Sequence, residues 1–327
     1  MNKKSAEAKI KHHYVWGNYL KQWSSNNMDV FYTTKNGKIR CDSVKGIARE
    51  NNFYKVKWLT DKHIEIIRAF SRLSPEHLQK YHNLCLDRFL GFQNAELDDL
   101  EARKIFECNG LEDLHTFNEN EVKLLLHALA KRDFDVLDIE NNMIKFCIYL
   151  GHQFARTKSF KENTLNYCAT LIGREHPQIG EAIEECSWFL SYVVGMNFGV
   201  DLFNTRINDN HCVLLNDTEL PFVTSDQPII NVFGELDRVD VSPPQESEFE
   251  LYYPISPTVA YMIAKTGRFE QGNKSVSIDI VEELNTKISR KSDTFIVSSN
   301  SESLKALVKN RGIHAERFKQ QFEHESS

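Results

Sequence analysis

Val30-Phe31-Tyr32-Thr33-Thr34-Lys35-Asn36-Gly37-Lys38-Ile39-Arg40-Cys41 decides how the chain begins. Two runs rich in β-branched and aromatic residues flank Asn36-Gly37. A two-residue hairpin turn needs positive φ at its central positions, and Asn-Gly supplies it at low cost. The stretch therefore predicts an antiparallel β-hairpin. The short run Phe53-Tyr54-Lys55-Val56 predicts a third strand.

Downstream the period changes. Over 61–203 apolar residues recur at three- and four-residue spacing, which predicts amphipathic helices. Ser74-Pro75-Glu76 reads as an N-cap with Pro at the first helical position. Val122, Leu125, Leu126 and Leu129 share one face of a helix over 118–131. Met143, Phe146, Cys147, Leu150 and Phe154 do the same over 139–157, and 179–197 predicts one long apolar helix bearing Trp188. After Phe203 the reading returns to strands at Cys212-Val213-Leu214-Leu215, Pro221-Phe222-Val223-Thr224 and 229–233. A polar excursion over 237–248 precedes a strand pair at 250–253 and 258–264, joined through Pro254-Ile255-Ser256-Pro257 as a rigid turn. A helix over 276–290, a strand over 294–297 and a helix over 302–309 follow, and the charged tail after His314 is expected to fray.

Strands and helices thus segregate along the chain, which favours α+β over a doubly wound sheet. The expected architecture is an N-terminal β-hairpin, a helical middle, and a C-terminal antiparallel or mixed sheet with helices. No Pro/Gly/Ser-rich linker interrupts it. We therefore read 1–327 as a single composite domain, with a β-rich part over 1–60, a helical part over 61–203, a sheet-rich part over 204–315 and a tail over 316–327.

Composition narrows the function classes. With 41% hydrophobic and 26% charged residues the chain is an ordinary globular sequence. A net charge of -6 argues against bulk nucleic-acid binding. It leaves room for a local basic groove, so nucleic acid stays a permitted partner that net charge does not support. The seven cysteines contain no C-x-x-C, so neither a disulfide framework nor a cysteine zinc site is expected. That usage fits a reducing compartment. The start lacks a secretory apolar region, and the most apolar window, 188–200, is too short to span a bilayer. A soluble cytoplasmic protein without a membrane partner is the expectation.

Several chemistries find no motif. There is no Gly-rich phosphate loop, no H-E-x-x-H and no G-x-S-x-G. Arg72 and His77 have an R-x-x-x-x-H spacing, but Pro75 interrupts it. His82 and Cys85 lack further ligands nearby, so no metal is assigned, and the residues identify no cofactor.

Three distant segments carry chemistry. His12-His13-Tyr14 offers imidazoles for proton transfer near neutral pH. In an extended segment the two rings point opposite ways, one to a site and one to packing. Gln153 and Arg156 lie three apart on a helix and share a face. There the guanidinium could hold a carboxylate or phosphate bidentately, or pair with a structural carboxylate. Thr224-Ser225-Asp226 follows a strand and precedes Gln227-Pro228. Asp226 could accept from His or Arg, whereas Ser225-Asp226 before Pro also suits a simple side-chain-stabilised turn.

These segments, in this order, resemble domain-of-unknown-function family 4238. The family's His-His-Tyr-Val-Pro run resembles His12-His13-Tyr14-Val15-Trp16, followed by Tyr19-Leu20. Its Gln-x-x-Arg-Thr-Pro helix is similar to 153–157, its Thr-Ser-Asp-x-Pro loop to 224–228, and its Pro-Leu-Ser-Pro to 254–257. Glu50-Asn51-Asn52-Phe53-Tyr54 and the late Leu284-Asn285 fit as well, so the resemblance spans nearly the whole chain. Trp16 and Lys158 replace prolines; the first alters the entry after His13, and the second is expected to extend the helix past Thr157. The resemblance implies grouping rather than chemistry, and places His12, His13, Gln153, Arg156 and Asp226 at one locus.

If they converge, the set suits general acid–base attack on a phosphodiester. His12 or His13 would act as base or acid, Asp226 would orient it, and Arg156 would stabilise developing charge. Gln153, with Tyr14, Thr224 and Ser225, would bind substrate. The expected activity is a metal-independent nuclease or related enzyme, in the manner of a toxin or antiviral-defence effector. Two other readings stand beside it. One is a non-enzymatic binding or regulatory module in which these residues form a structural polar network. The other is a small-molecule or nucleotide hydrolase or transferase.

Overall fold

The hairpin forms, but not through the expected two-residue Asn-Gly turn: Thr34 N donates to Lys38 O at 2.8 Å and Gly37 N to Thr34 O at 2.9 Å, so residues 35–37 make the connection and only Gly37, not Asn36, takes positive φ. In the computed structural model, which describes residues 7–95, 99–234 and 244–325, strand β2 (Asp29–Thr33) pairs antiparallel with β3 (Ile39–Ser43). Gly37 takes the positive φ of 72° at the turn. Ahead of the hairpin, β1 (Lys11–His13) leads through a one-turn helix α1 (Gly17–Leu20), and β1 pairs antiparallel with β4 (Arg49–Asn51). The third strand expected at Phe53-Tyr54-Lys55-Val56 is not one. Asn52 adopts φ 57° and turns the chain, so the pairing residues are 49–51 and Tyr54 instead follows the turn with a buried ring.

The middle of the chain is helical: α2 (Asp61–Ser71), α3 (Glu76–Asn94), α4 (Leu100–Ala130) and α5 (Glu140–Ala155). After a π-helical turn (Phe160–Leu165) come α6 (Asn166–Glu175), α7 (Pro177–Glu185) and α8 (Ser187–Thr205). A capping box starts α2, where the Thr60 hydroxyl accepts from the His63 backbone at 3.4 Å and the His63 ring accepts from Thr60 N at 3.2 Å. Three expectations are corrected here. Helix α3 begins at Glu76 with Pro75 as its cap residue and no side-chain cap, and the Ser74 hydroxyl instead accepts from Asn197 Nδ2 at 2.9 Å. The long helix expected over 179–197 is two helices that break at Cys186. Helix α5 stops at Ala155, and a helical segment resumes only at Lys158. The Thr157 hydroxyl ends one helix by donating to Phe154 O at 3.1 Å and opens the next by accepting from Phe160 N at 3.3 Å.

Helices α5 and α8 pack backbone against backbone. A Cβ on Gly151 would lie 2.2 Å from Gly195 O and 2.4 Å from Gly199 N, closer than any side chain tolerates. That contact fixes the residues that follow Gly151, namely His152, Gln153 and Arg156.

The C-terminal third builds a five-stranded mixed sheet in the order β10-β5-β9-β8-β7. Its strands are β5 (Asn210–Leu215), β7 (Ile230–Asn231), β8 (Glu250–Ser256), β9 (Val259–Ala264) and β10 (Gly272–Ser275), with only the β10–β5 pair parallel among these. Pro254 and Ser256, expected in a rigid turn, belong to β8, where an irregularity in the register absorbs the proline. Strand alternation divides the sheet between two cores. Val213, Leu251, Tyr253, Ile255, Tyr261 and Ile263 face the core shared with the helical middle. Cys212, Leu214, Tyr252 and Met262 face a second core with Val281, Leu284 and Ile288 of α9 (Ile278–Lys291). Covered on both faces, β8 and β9 are buried along their whole length.

The N-terminal hairpin does not stand apart. It joins β11 (Ile296–Ser298) and β6 (Thr224–Ser225) in a four-stranded sheet, order β3-β2-β11-β6. After α10 (Glu302–Lys305) the tail expected to fray forms α11 (Ile313–Glu325), held by buried Ala315 and by Phe318, whose ring meets Tyr167 at 5.4 Å. Residues 237–243 of the expected polar excursion lie outside the described residues, and 246–248 form a 3-10 turn. Among the described residues no helix is long and apolar enough to cross a membrane.

Candidate functional site

Strand β1 alternates as an extended segment must. His12 turns wholly inward and His13 is half-buried. His12 is occupied on both ring nitrogens: Nδ1 accepts from Tyr54 N at 2.8 Å, so Nε2 carries the proton that reaches Lys9 O at 2.7 Å. Burial lowers its pKa, as do the charges of Lys9 and Arg156, against the pull of the backbone carbonyls. His12 is thus a neutral imidazole joining β1 to the turn after β4. His13 is also pushed down, by burial and then by Arg156, and its Nε2 has no partner.

Arg156 meets the N-terminal segment at the end of α5. It is 3% exposed. Its guanidinium donates to Glu119 of α4, to the carbonyl of His13 and, from Nε, to the Tyr54 hydroxyl at 3.2 Å. That hydroxyl in turn donates to Arg156 O at 2.7 Å. Burial opposes the charge, but Tyr54, Glu119 and Glu112 hold the pKa of Arg156 above its ordinary value. Gln153, one turn earlier, donates from Nε2 to Tyr14 O at 3.2 Å. The first two expected segments therefore do come together, through the backbone of His13 and Tyr14 rather than through the imidazoles.

The third segment meets them only at its edge. Asp226 orients neither histidine. Its Oδ1 accepts from Asp293 N at 3.0 Å, and its Oδ2 accepts from Thr294 N and the Thr294 hydroxyl, both at 2.5 Å. It caps the turn before β11. Burial raises its carboxyl to about 6, with Asp293 adding to the rise and the Thr294 bonds opposing it. Tyr14 links the loci, since its hydroxyl reaches Thr294 and feels the charge of Asp226. Thr224 bonds the Tyr19 hydroxyl at 2.7 Å, which donates to Pro254 O at 2.8 Å. The Ser225 hydroxyl closes a turn on Gln227, accepting from N and donating to O at 3.1 Å each. Asn285 holds the same loop from α9, its Oδ1 accepting from Val223 N and its Nδ2 donating to Pro221 O, both at 2.9 Å.

Around Arg156 lies a second set of polar groups that the motifs did not indicate. Helix α4 presents Glu112, His115, Asn118 and Glu119; α5 presents His152, and α8 presents Tyr192. The rings form a continuous path: Tyr54 to His115 at 4.8 Å, His115 to His152 at 6.1 Å, and His152 to Tyr192 at 4.5 Å. Burial lowers His115 well below the ordinary histidine value and takes His152 down to about 3, with Arg156 reinforcing both shifts. Burial raises Glu112 to about 7, and Arg156 opposes the rise. Asn118 bonds Tyr192, whereas five side-chain atoms here are buried without a hydrogen-bond partner: His13 Nε2, Glu112 Oε2, His115 Nδ1, Gln153 Oε1 and His152 Nδ1, the last packed against Gly195 of α8. His13, Glu112 and Asn118 are half-buried, so the cluster extends towards the surface along α4.

The signal for this cluster was in the sequence. Cys108, Leu111, His115, Glu119, Val122, Leu126 and Leu129 recur at three- and four-residue spacing, and all are buried in α4. Two ionisable groups on an apolar stripe require a partner inside. Among the described residues no group of three or more His, Cys, Asp or Glu side chains is placed to hold a metal ion. An open cleft of about 800 Å³, lined in part by Pro221, Asn285, Thr286 and Ser303, shares no residue with the cluster.

No curated protein matches this chain, and no solved structure does. Residues 11–302 match the family described as "Protein of unknown function (DUF4238)", which takes in β1, the Arg156 helix, the Asp226 loop and Asn285, and the chain belongs to that family.

Proposed function

We propose that the chain is a hydrolase or transferase for a small molecule, working in the enclosed polar cluster around Arg156 with Glu112 as its proton donor and acceptor. The observation that carries this reading is that residues around Arg156 leave buried polar atoms without a hydrogen-bond partner, namely His13 Nε2, Glu112 Oε2, His115 Nδ1 and Gln153 Oε1. Each such atom costs about 1–3 kcal/mol when nothing bonds to it, and polar networks that serve only stability are normally satisfied. A polar ligand would satisfy them. Glu112, held near 7, exchanges a proton at neutral pH, and the neutral His115 and His152 can each donate and accept. Arg156 acts through others, positioning Glu119, Tyr54 and the backbone of His13. A polymeric phosphodiester fits less well than a small substrate, because Arg156, His12 and Gln153 are all nearly inaccessible. The test is turnover by purified wild type and Glu112→Gln against panels of nucleosides, amides, glycosides and small phosphoesters, with RNA and DNA alongside. Turnover of a small substrate that Glu112→Gln abolishes supports the reading. Cleavage of RNA or DNA by wild type, with no small substrate turned over, sinks it.

A second reading has its own support. Arg156 is engaged by Glu119, Tyr54 and His13, as in a polar network that locks an N-terminal segment onto a helical body. In that case the chain is a non-enzymatic binding or regulatory module. Wild type and Glu112→Gln would then be equally inert towards every substrate, while Arg156→Ala would lower the melting temperature strongly.

A further inference from the structure

Strand β3 (Ile39–Ser43) is the outermost strand of the hairpin sheet, and no strand among the described residues pairs with its far side. Thr34 N donates to Lys38 O at 2.8 Å at one end of the hairpin, and Val44 N donates to Met28 O at 3.0 Å at the other. In an antiparallel ladder, hydrogen-bonded pairs alternate with unbonded ones. With Tyr32 opposite Arg40 and Phe31 opposite Cys41, the N–H and C=O groups of Ile39, Cys41 and Ser43 therefore point away from β2. Edge strands are commonly blunted by Lys, Pro or a bulge. Strand β3 has neither residue, and its register against β2 is unbroken.

The side chains on this edge complement themselves. Arg40, Cys41 and Asp42 are exposed. Arg40 and Asp42 share one face of the strand, and Cys41 lies between them on the other. A second β3 laid antiparallel along the edge, Cys41 opposite Cys41, sets Arg40 of each copy opposite Asp42 of the other, as two-fold symmetry requires. Cys41 is then a hydrogen-bonded pair, and Arg40 and Asp42 form the unbonded pairs, whose side chains stand closest. The Asp42 carboxylate already leans to the open side, where its Oδ1 accepts from Ser43 N at 2.7 Å. Sliding the second strand by two residues either way would oppose Arg40 to Arg40 or Asp42 to Asp42, so charge selects one register.

We infer that the open edge of β3 docks a second copy of this chain, strand against strand and antiparallel about Cys41, with Arg40 and Asp42 pairing reciprocally across the two-fold axis. An edge of this length buries little area, so the dimer is weak and forms as concentration rises.

The test is sedimentation velocity on the full chain, kept reduced, over a concentration series reaching about 1 mM, the range in which contacts this small are populated. Wild type should pass reversibly from monomer to dimer. Arg40→Asp and Asp42→Arg each turn both attractions into repulsions, and each should weaken dimerisation by about tenfold or more in Kd. An equimolar mixture of the two variants should restore it, because every facing pair is again opposite in charge. The exchanged chain, Arg40→Asp with Asp42→Arg, should restore it as well. Both positions are exposed, so melting temperatures should stay near wild type. Independently of these variants, a short bismaleimide should join two wild-type copies through Cys41. That product should vanish with Cys41→Ser and persist when Cys168, also exposed, is changed to Ser. A wild type that stays monomeric throughout overturns the inference, as does a dimer that Arg40→Asp leaves intact. So does a mixture of the two variants that fails to associate where wild type does, or a cross-link that forms without Cys41.

Discussion

Arg156 and Glu119 form a buried ion pair between the end of α5 and the middle of α4, and the same guanidinium holds the carbonyl of His13. One side chain thereby ties the N-terminal strand to two helices. Breaking a buried pair by removing one partner leaves the other charge uncompensated, which typically costs about 3–5 kcal/mol. Arg156→Ala and Glu119→Ala should each lose that much in urea unfolding. Arg156→Met combined with Glu119→Leu should lose less than either single change, because no charge is stranded. A double variant less stable than both singles would contradict this account.

The pH dependence of stability should carry the sign of Glu112. Its folded pKa, about 7, lies above its ordinary 4.5, so the folded chain binds this proton more tightly than the unfolded one. Its ionisation therefore disfavours folding, fully absent below about pH 4.5 and fully present above about pH 7. Glu112→Gln should be the more stable protein at pH 8, by up to about 2–3 kcal/mol after allowing for solvent screening, and close to wild type at pH 4.5. Equal differences at both pH values would show that Glu112 is not buried beside this cluster.

His152 acts in the opposite direction. With its pKa taken down from 6.5 to about 3, the unfolded chain binds this proton more readily, so its contribution to stability is lost as pH falls from 6.5 towards 3. His152→Phe should flatten the acid limb of the stability profile below pH 6. Melts at pH 4.5 and 7 read this directly, and an unchanged acid limb counts against a neutral, buried His152.

Gly151→Ala should be among the most damaging single changes. The new Cβ would meet Gly195 O at 2.2 Å and Gly199 N at 2.4 Å, both backbone atoms that cannot swing aside. Overpacking of this kind costs about 1–3 kcal/mol or more, through separation of α5 from α8. Gly46→Ala meets nothing within 4 Å and serves as the control, with a melting temperature near that of wild type.

Asp226 separates architecture from chemistry. Asp226→Ala strands the backbone N–H groups of Asp293 and Thr294, at a cost of about 2–3 kcal/mol. Below its own melting temperature the variant should nevertheless keep any Glu112-dependent turnover. Loss of turnover without loss of stability would return Asp226 to the reaction.

Local chemistry determined much of what the sequence could express. Gly37 set a hairpin because its turn needs one positive φ, although the turn is three residues rather than the two that Asn36-Gly37 suggested, and the change from period two to period three-and-four separated sheet from helix. Ser225-Asp226 before Gln227-Pro228 stated its turn in the residues themselves. The ordered motifs marked His12, His13, Gln153, Arg156 and Asp226 as one locus; His12, Gln153, Arg156 and Asp226 are buried, and Asp226 bonds Asp293 and Thr294 rather than a histidine. Partners were another matter. Arg156 lies 37 positions from Glu119 and 143 from His13, and Asp226 lies 68 from Thr294. No periodicity encodes such separations; they are fixed by the close approach of α5 to α8 and by the closing of the hairpin sheet with β11. Tertiary structure therefore decided that Asp226 caps a turn, that His12 is a neutral strut, and that the groups with unsatisfied chemistry are Glu112, His115 and His152.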